Sequence, residues 1–315
     1  MALMVLTACG GGKAASRDGD TAAAETAAAM APAFDADSAY GFVACMVEFG
    51  PRVPNTDAHR RAGDWLAATL RGYGWEVTEQ NADLKAFDGT LLKARTIFAQ
   101  INPEAGDRLL LLAHWDCRPW ADQDPDPAKR KQPVDGANDG ASGVGVLLEI
   151  ARQLGMQKPD RGVDILFVDA EDWGADGDDD SWALGTRYFA ENPPKAGYRP
   201  TEAILLDMVG SEEAQFGHEY FSRQANPGLI DKVWSAARAL GHGGYFHNGF
   251  GGAITDDHVQ LIEHGIPAID IIDYRAAPTY QGFDPVWHTS RDNMDNISPT
   301  TLRAVGETLL YIISN

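Results

Sequence analysis

Four apolar runs in this chain each lead into a carboxylate or an imidazole, and this limits the fold more than any other feature of the sequence. "LLLLA" (109–113) leads into His114 and Asp116. "DILFV" (164–168) leads into Asp169, Glu171 and Asp172. "AILL" (203–206) leads into Asp207, and "AIDII" (268–272) into Asp273. Runs this apolar cannot face solvent on alternate residues. They read as strands covered on both faces, the habit of parallel sheets. Between them lie stretches of helical spacing at 38–49, 55–73, Ser142 to Gly155, 182–191, 227–240, 256–264 and from Pro299 onward. Strands alternating with helices predict an α/β fold, a three-layer sandwich with a central, largely parallel twisted sheet and helices on both faces. No internal repeat and no second domain boundary is evident. Residues 38–315 read as a single catalytic domain. Residues 10–37, rich in Ala, Gly, Asp and Thr, read as a flexible tether.

In an open sheet of this kind, ligands bind beyond the carboxyl ends of the strands. The residues delivered there are therefore the candidate site. Two more join them. Asp139 stands at a glycine-rich helix entrance, "DGANDGASG", and His288 stands in "PVWHTSRDN". Singly each has an ordinary structural reading: His114 as a core histidine, Asp139 as a helix cap, Asp169 as a strand-end hydrogen bonder. Together they match a metal site. Zinc takes His nitrogen and carboxylate oxygen, a catalytic site leaves one position open, and a neighbouring acid serves as general base. Adjacent side chains on an extended segment diverge, so of Glu171 and Asp172 one binds metal while the other handles protons. The acidic run "GADGDDD" (174–180) reads as a solvated loop. His218, His242, His247 and His264 lack such company and receive no role.

The formal net charge of −20 argues against a nucleic-acid partner, because little here would neutralise phosphates. No G-x-S-x-G, P-loop or Rossmann glycine pattern occurs, so a serine hydrolase or nucleotide enzyme is unsupported. The absence of C-x-x-C removes thiolate zinc. The N-terminal "MALMVLTACGGG" places small residues before Cys9, as in a bacterial lipoprotein signal, in an apolar run too short to span a bilayer. A lipid on Cys9 is expected, and with it a place on the periplasmic side or surface of the cell envelope. Cys45 and Cys117 are then left either to pair or to remain as buried thiols.

Seven stretches carry a family resemblance: "FGPRVPNTDAHR", "AHWDCRPWADQD", "GANDGASG", "DAEDWG", "LLDMVG", "TDDH" and "PVWHTSRDNMDNI". From about Phe49 to its end the chain resembles the glutaminyl-peptide cyclotransferases of the animal type, and above all their bacterial relatives, which share the fold of zinc-dependent aminopeptidases. The resemblance implies one zinc ion held by Asp139, Asp172 and His288, with Glu171 as the acid–base carboxylate. It implies Asp207 and Asp256 as hydrogen-bonded acids near the leaving ammonia. Trp287, His258 and His114 are placed at the substrate pocket. The implied substrates are peptides or proteins with N-terminal glutamine, converted to pyroglutamate. A monomer is expected, meeting membrane only through the lipid. The chain departs from the animal pattern in two places. Asp172 stands where those enzymes carry Glu, and Gly177 falls where they carry a pocket tryptophan, leaving Trp173 and Trp182 as candidates for that wall. The alternative is a two-zinc aminopeptidase, whose five ligands would be His114, Asp139, Asp172, Asp207 and His288. Trp287 and the "TDDH" segment favour the cyclase. The intact Glu171 counts against a third reading, a non-catalytic surface lipoprotein, since binding alone needs no general base.

Overall fold

A computed structural model describes residues 33–277 and 280–315. Cys9 and nearly all of the expected tether lie outside the described residues. Packing begins earlier than the expected domain start at residue 38. Phe34 is buried against Gly306, and Asp35 caps the first helix by accepting the N–H groups of Asp37 and Ser38.

That helix, α1 (Ala36–Glu48), is followed by α2 (Asp57–Gly72), whose Thr56 hydroxyl caps the His59 N–H. Strands β1 (Glu76–Lys85) and β2 (Leu91–Ile101) form an antiparallel hairpin. Then come β3 (Arg108–His114), α3 (Ala141–Met156), β4 (Gly162–Val168), α4 (Leu184–Glu191) and β5 (Glu202–Asp207). The rest of the chain gives β6 (Phe216–His218), α5 (Tyr220–Ala225), α6 (Pro227–Ala239), β7 (Phe246–Phe250), α7 (Asp257–Glu263) and β8 (Ala268–Ile272). A small hairpin, β9 (Tyr274–Ala277) and β10 (Tyr280–Phe283), precedes the closing helix α8 (Pro299–Ser314).

The main sheet has six strands in the order β1-β2-β4-β3-β5-β8. The four apolar runs form its parallel block, and the hairpin extends it antiparallel on the β4 side. The sheet is therefore mixed and largely parallel, sandwiched by helices as the sequence pattern predicts. Every residue of β3 and β4 is buried, which is why neither alternates. One face packs on a core shared with α1, α2, α3, α6 and α8; the other packs on Phe189 of α4 and Leu261 of α7. Register then sets the site. His114 pairs with Val168, and Asp207 with Ile272, so the parallel strands end nearly level and their next residues emerge along one rim. Two small two-stranded sheets, β6 with β7 and β9 with β10, complete the architecture. Among the described residues no helix is long and apolar enough to cross a membrane.

Candidate active site

The loop 138–140 enters α3 at Gly140, whose φ of 92° is a conformation side chains rarely adopt. A Cβ there would sit 2.8 Å from the Asp116 carbonyl oxygen. This close approach swings Asp139 under the strand ends. Its N–H and that of Asn138 donate to Asp292, at 3.1 and 2.7 Å. At the end of β4 the chain turns sharply at Ala170, with φ at 57°. Asp207 is followed by Met208 at φ 48°, and His288 itself lies at φ 52°. Three non-glycine residues in the left-handed region within one site mark a backbone held by its surroundings.

These turns bring Asp139, Asp172 and His288 together, with one ligand atom from each mutually within 4.8 Å. His288 Nε2 lies 3.2 Å from Asp172 Oδ1 and 3.4 Å from Asp139 Oδ2. All three side chains are buried, and neither carboxylate oxygen of Asp172 has a hydrogen-bond partner. Two buried carboxylates and an imidazole with unmet bonding capacity suit a divalent cation such as zinc. A second trio shares Asp139: His114 Nε2 lies 3.0 Å from Asp139 Oδ1 and 3.2 Å from Asp207 Oδ1.

The acids around this point are crowded, and their proton affinities respond. Burial, then repulsion from Asp139, pushes Asp172 up to about 6. Burial, with Asp256 and Asp172 close by, holds Glu171 well above the usual carboxylate range against the pull of His114. Asp256 is raised in the same way by burial, Asp207 and Asp257. For Asp139 burial acts upward, but His114, His288 and Arg118 together outweigh it and the carboxyl stays low. Burial alone would lower His288, yet Asp172, Asp122 and Asp139 carry it up to about 9.

A pocket of about 450 Å³ opens onto Asp139, Glu171, Asp207, Asp256 and His288, with Trp182, Phe283 and Trp287 among its aromatic walls. Trp287 stacks on the His288 ring with centroids 3.7 Å apart, and Trp182 stacks on it at 6.1 Å. Of the two candidates for the missing wall, Trp182 lines the pocket. Gly174 makes room for it, since a Cβ there would collide with the indole. Trp173 turns away, toward Asp88 and Trp120.

Two placements differ from expectation. His258 does not line the pocket. It is fully buried behind Asp256, with Nε2 donating to Glu219 at 3.0 Å, because α7 points it into the interior. His114 also contributes no lining surface and lies beneath Asp139 and Asp207. Asp169 donates nothing to the pocket; it accepts from His59 Nε2 at 2.8 Å. Cys45 and Cys117 are both free thiols. In the acidic run, Asp176 and Asp179 are exposed at the pocket mouth. Sequence reasoning assigned no role to Arg118 and Asp122, although both lie in the quoted stretch "AHWDCRPWADQD".

A family model described as peptidase family M28 matches residues 96–313. The crystal structure of Porphyromonas gingivalis glutaminyl cyclase superposes with a TM-score of 0.87 at 55% identity, covering 90% of this chain and 99% of that one. A Zn-dependent exopeptidase from Parabacteroides distasonis gives a TM-score of 0.88 at 52% identity, with the same coverage of 90% and 99%. Bovine glutaminyl-peptide cyclotransferase is 28% identical over 250 residues, which are 69% of this chain and 64% of that protein.

Proposed function

The chain belongs to peptidase family M28, and from that membership we propose that it is a zinc-dependent glutaminyl-peptide cyclotransferase acting on peptides or proteins that begin with glutamine. The observation that carries this reading is a small aromatic pocket onto which the buried acid Glu171 opens beside the Asp139–Asp172–His288 trio. Likeness to the Porphyromonas and bovine enzymes supports it.

Zinc bound by the trio would polarise the γ-carbonyl oxygen of the substrate glutamine and offset the negative charge that develops there. Everything else is work for the chain's own groups. Trp182, Phe283 and Trp287 leave room for a glutamine folded so that its α-amine lies against its own γ-carboxamide, a proximity task. As the amine nitrogen bonds to the γ-carbon, Glu171 takes its proton. Glu171 then gives that proton to the carboxamide nitrogen as the old C–N bond breaks and ammonia leaves. The high proton affinity imposed on Glu171 by its burial suits a group that must hold a proton between two transfers. Asp207 and Asp256 face the same space. Close carboxylates resist joint ionisation, so between them they keep a proton and can hydrogen-bond the leaving nitrogen.

The second trio favours a two-zinc aminopeptidase as the other reading. Against it, Trp287 stacks on His288 in the pocket wall, the aromatic lining that the likeness to glutaminyl cyclases leads one to expect. We therefore assign one ion. A lipid on Cys9 and an envelope location complete the proposal, supported by the small residues before that cysteine and tested by labelling with a fatty-acid analogue. The deciding experiment for the activity supplies a Gln-initiated peptide and counts bound zinc. One zinc with ammonia release and a blocked N-terminus is expected. Two zincs with release of a free N-terminal residue would overturn the reading.

A further inference from the structure

The segment 118–124 plays no part in the reaction as derived, yet it touches two of the three residues in the trio. Arg118 is 2% exposed, and its fork makes four hydrogen bonds. Nη1 donates to the backbone oxygens of Asp172 and Gly174, at 3.0 and 2.9 Å. Nε and Nη2 donate to the two oxygens of Asp122, at 3.3 and 2.6 Å. The rings of Trp120 and Trp182 lie 4.9 and 4.7 Å from its Cζ, so the guanidinium is also held by aromatic faces. Asp122 Oδ1 in turn comes within 3.4 Å of His288 Nδ1. Backbone links run beside these contacts. The Gln123 N–H donates to the His288 oxygen at 3.1 Å, and Asp124 accepts from the Ser290 N–H at 2.8 Å.

The two nitrogens of His288 therefore face different company. Nε2 looks toward Asp139 and Asp172, Nδ1 toward Asp122. An imidazole that ligates through one nitrogen must carry its proton on the other. A carboxylate beside that other nitrogen selects the tautomer, fixes the ring and makes the ligating nitrogen more basic. Asp122 is partly exposed and would be a loose orienting group alone. Arg118 removes that freedom, because a planar fork binds a carboxylate with two bonds and leaves its remaining donors for the Asp172 segment.

We propose that Asp122 and Arg118 are a positioning pair for the metal centre: Asp122 orients His288 through Nδ1, and Arg118 ties Asp122 to the backbone of Asp172, so that two ligands from distant parts of the chain keep one fixed relation. This rests on the reading that Asp139, Asp172 and His288 hold zinc. Lysine at 118 would keep the charge but could not serve two carbonyls and a carboxylate at once.

The test is zinc affinity, measured by competition with a chromogenic chelator, together with melting of the metal-free proteins. The set is wild type, Asp122→Ala, Asp122→Asn, Arg118→Lys and His288→Ala. Asp122→Ala should bind zinc about 10- to 100-fold more weakly and release it faster, the range found when such orienting groups are removed. Asp122→Asn, which keeps an acceptor but not the charge, should fall between it and wild type. Arg118→Lys should be weakened too, and metal-free Asp122→Ala should melt below metal-free wild type because buried Arg118 loses its carboxylate, so zinc affinity is measured at a temperature where every variant is folded. Wild-type zinc affinity in both Asp122 variants, with affinity lost in His288→Ala, would overturn the positioning role alone. Wild-type affinity in His288→Ala would instead overturn the trio on which it rests.

Discussion

Asp116 and Asp172 are joined through the backbone: Asp116 Oδ2 accepts the Asp172 N–H at 3.2 Å, while its Oδ1 accepts the Glu171 N–H at 3.3 Å. A carboxylate from the end of one strand thus fixes the turn at the end of its neighbour, and the two acids of that turn meet different surroundings, Glu171 the pocket and Asp172 His288.

That division gives the first prediction. Glu171→Gln keeps the size of the side chain and removes its ability to shuttle a proton. Turnover of a Gln-initiated peptide should fall by about 10²-fold or more, with zinc content unchanged. Ammonia release and metal analysis on the same preparation measure both. Loss of the zinc would reassign Glu171 to the metal.

Asp172→Ala and His288→Ala should each release zinc, because each removes one of the three proposed protein ligands. Bound zinc after dialysis is the readout. Retention in both variants at wild-type affinity would place the metal elsewhere.

His114→Ala separates one ion from two. Its Nε2 contacts Asp139 and Asp207, and in a two-zinc site it would be a direct ligand. With one ion, the variant should keep its zinc and lose only part of its cyclisation rate. A fall from two metals to one, seen against wild type in parallel, would sink the one-zinc assignment.

Glu219 supplies a pH dependence of stability. It is fully buried and accepts from the Phe221, Ser222 and Ile254 N–H groups, the Ser222 hydroxyl and His258 Nε2. Burial acts to raise it, but these donors win and hold it at about 2 instead of 4.5. A depressed acid stabilises the fold in full above its unfolded value, and that contribution drains away as pH drops from about 4.5 toward 2. The shift corresponds to roughly 3 kcal/mol. Glu219→Gln should therefore melt well below wild type at pH 7, with the gap closing as pH approaches 3. A constant gap across that range would show that the charge is not the cause.

The sheet was legible because buried parallel strands write themselves as unbroken apolar runs, and all four runs became neighbouring strands. The strands missed were β6, β7, β9 and β10, of three to five residues each, too short for any period to show. In α1 the apolar residues at helical spacing are Tyr40, Val43, Ala44 and Val47, and of these Val43 alone is among the most deeply buried, with Ala36, Ala39 and Met46. Neighbouring stripes on a short helix are hard to tell apart when both are apolar. At the site, the residues at strand ends announced themselves. His258 did not betray its inward turn, since one turn of α7 decides whether it faces the pocket or Glu219. Arg118 and Asp122 were hidden for a different reason. Their meaning lies in partners at 172 and 288, and no local pattern encodes such pairings.

The trio draws on the loop before α3, the turn after β4 and the segment ahead of α8. A chain made from its N-terminus displays two carboxylates long before the imidazole exists. In the proposed reading, the growing chain can therefore offer a cation only weak acidic sites. On that same reading, firm capture awaits His288, so that loading comes late, once all three segments of the chain exist.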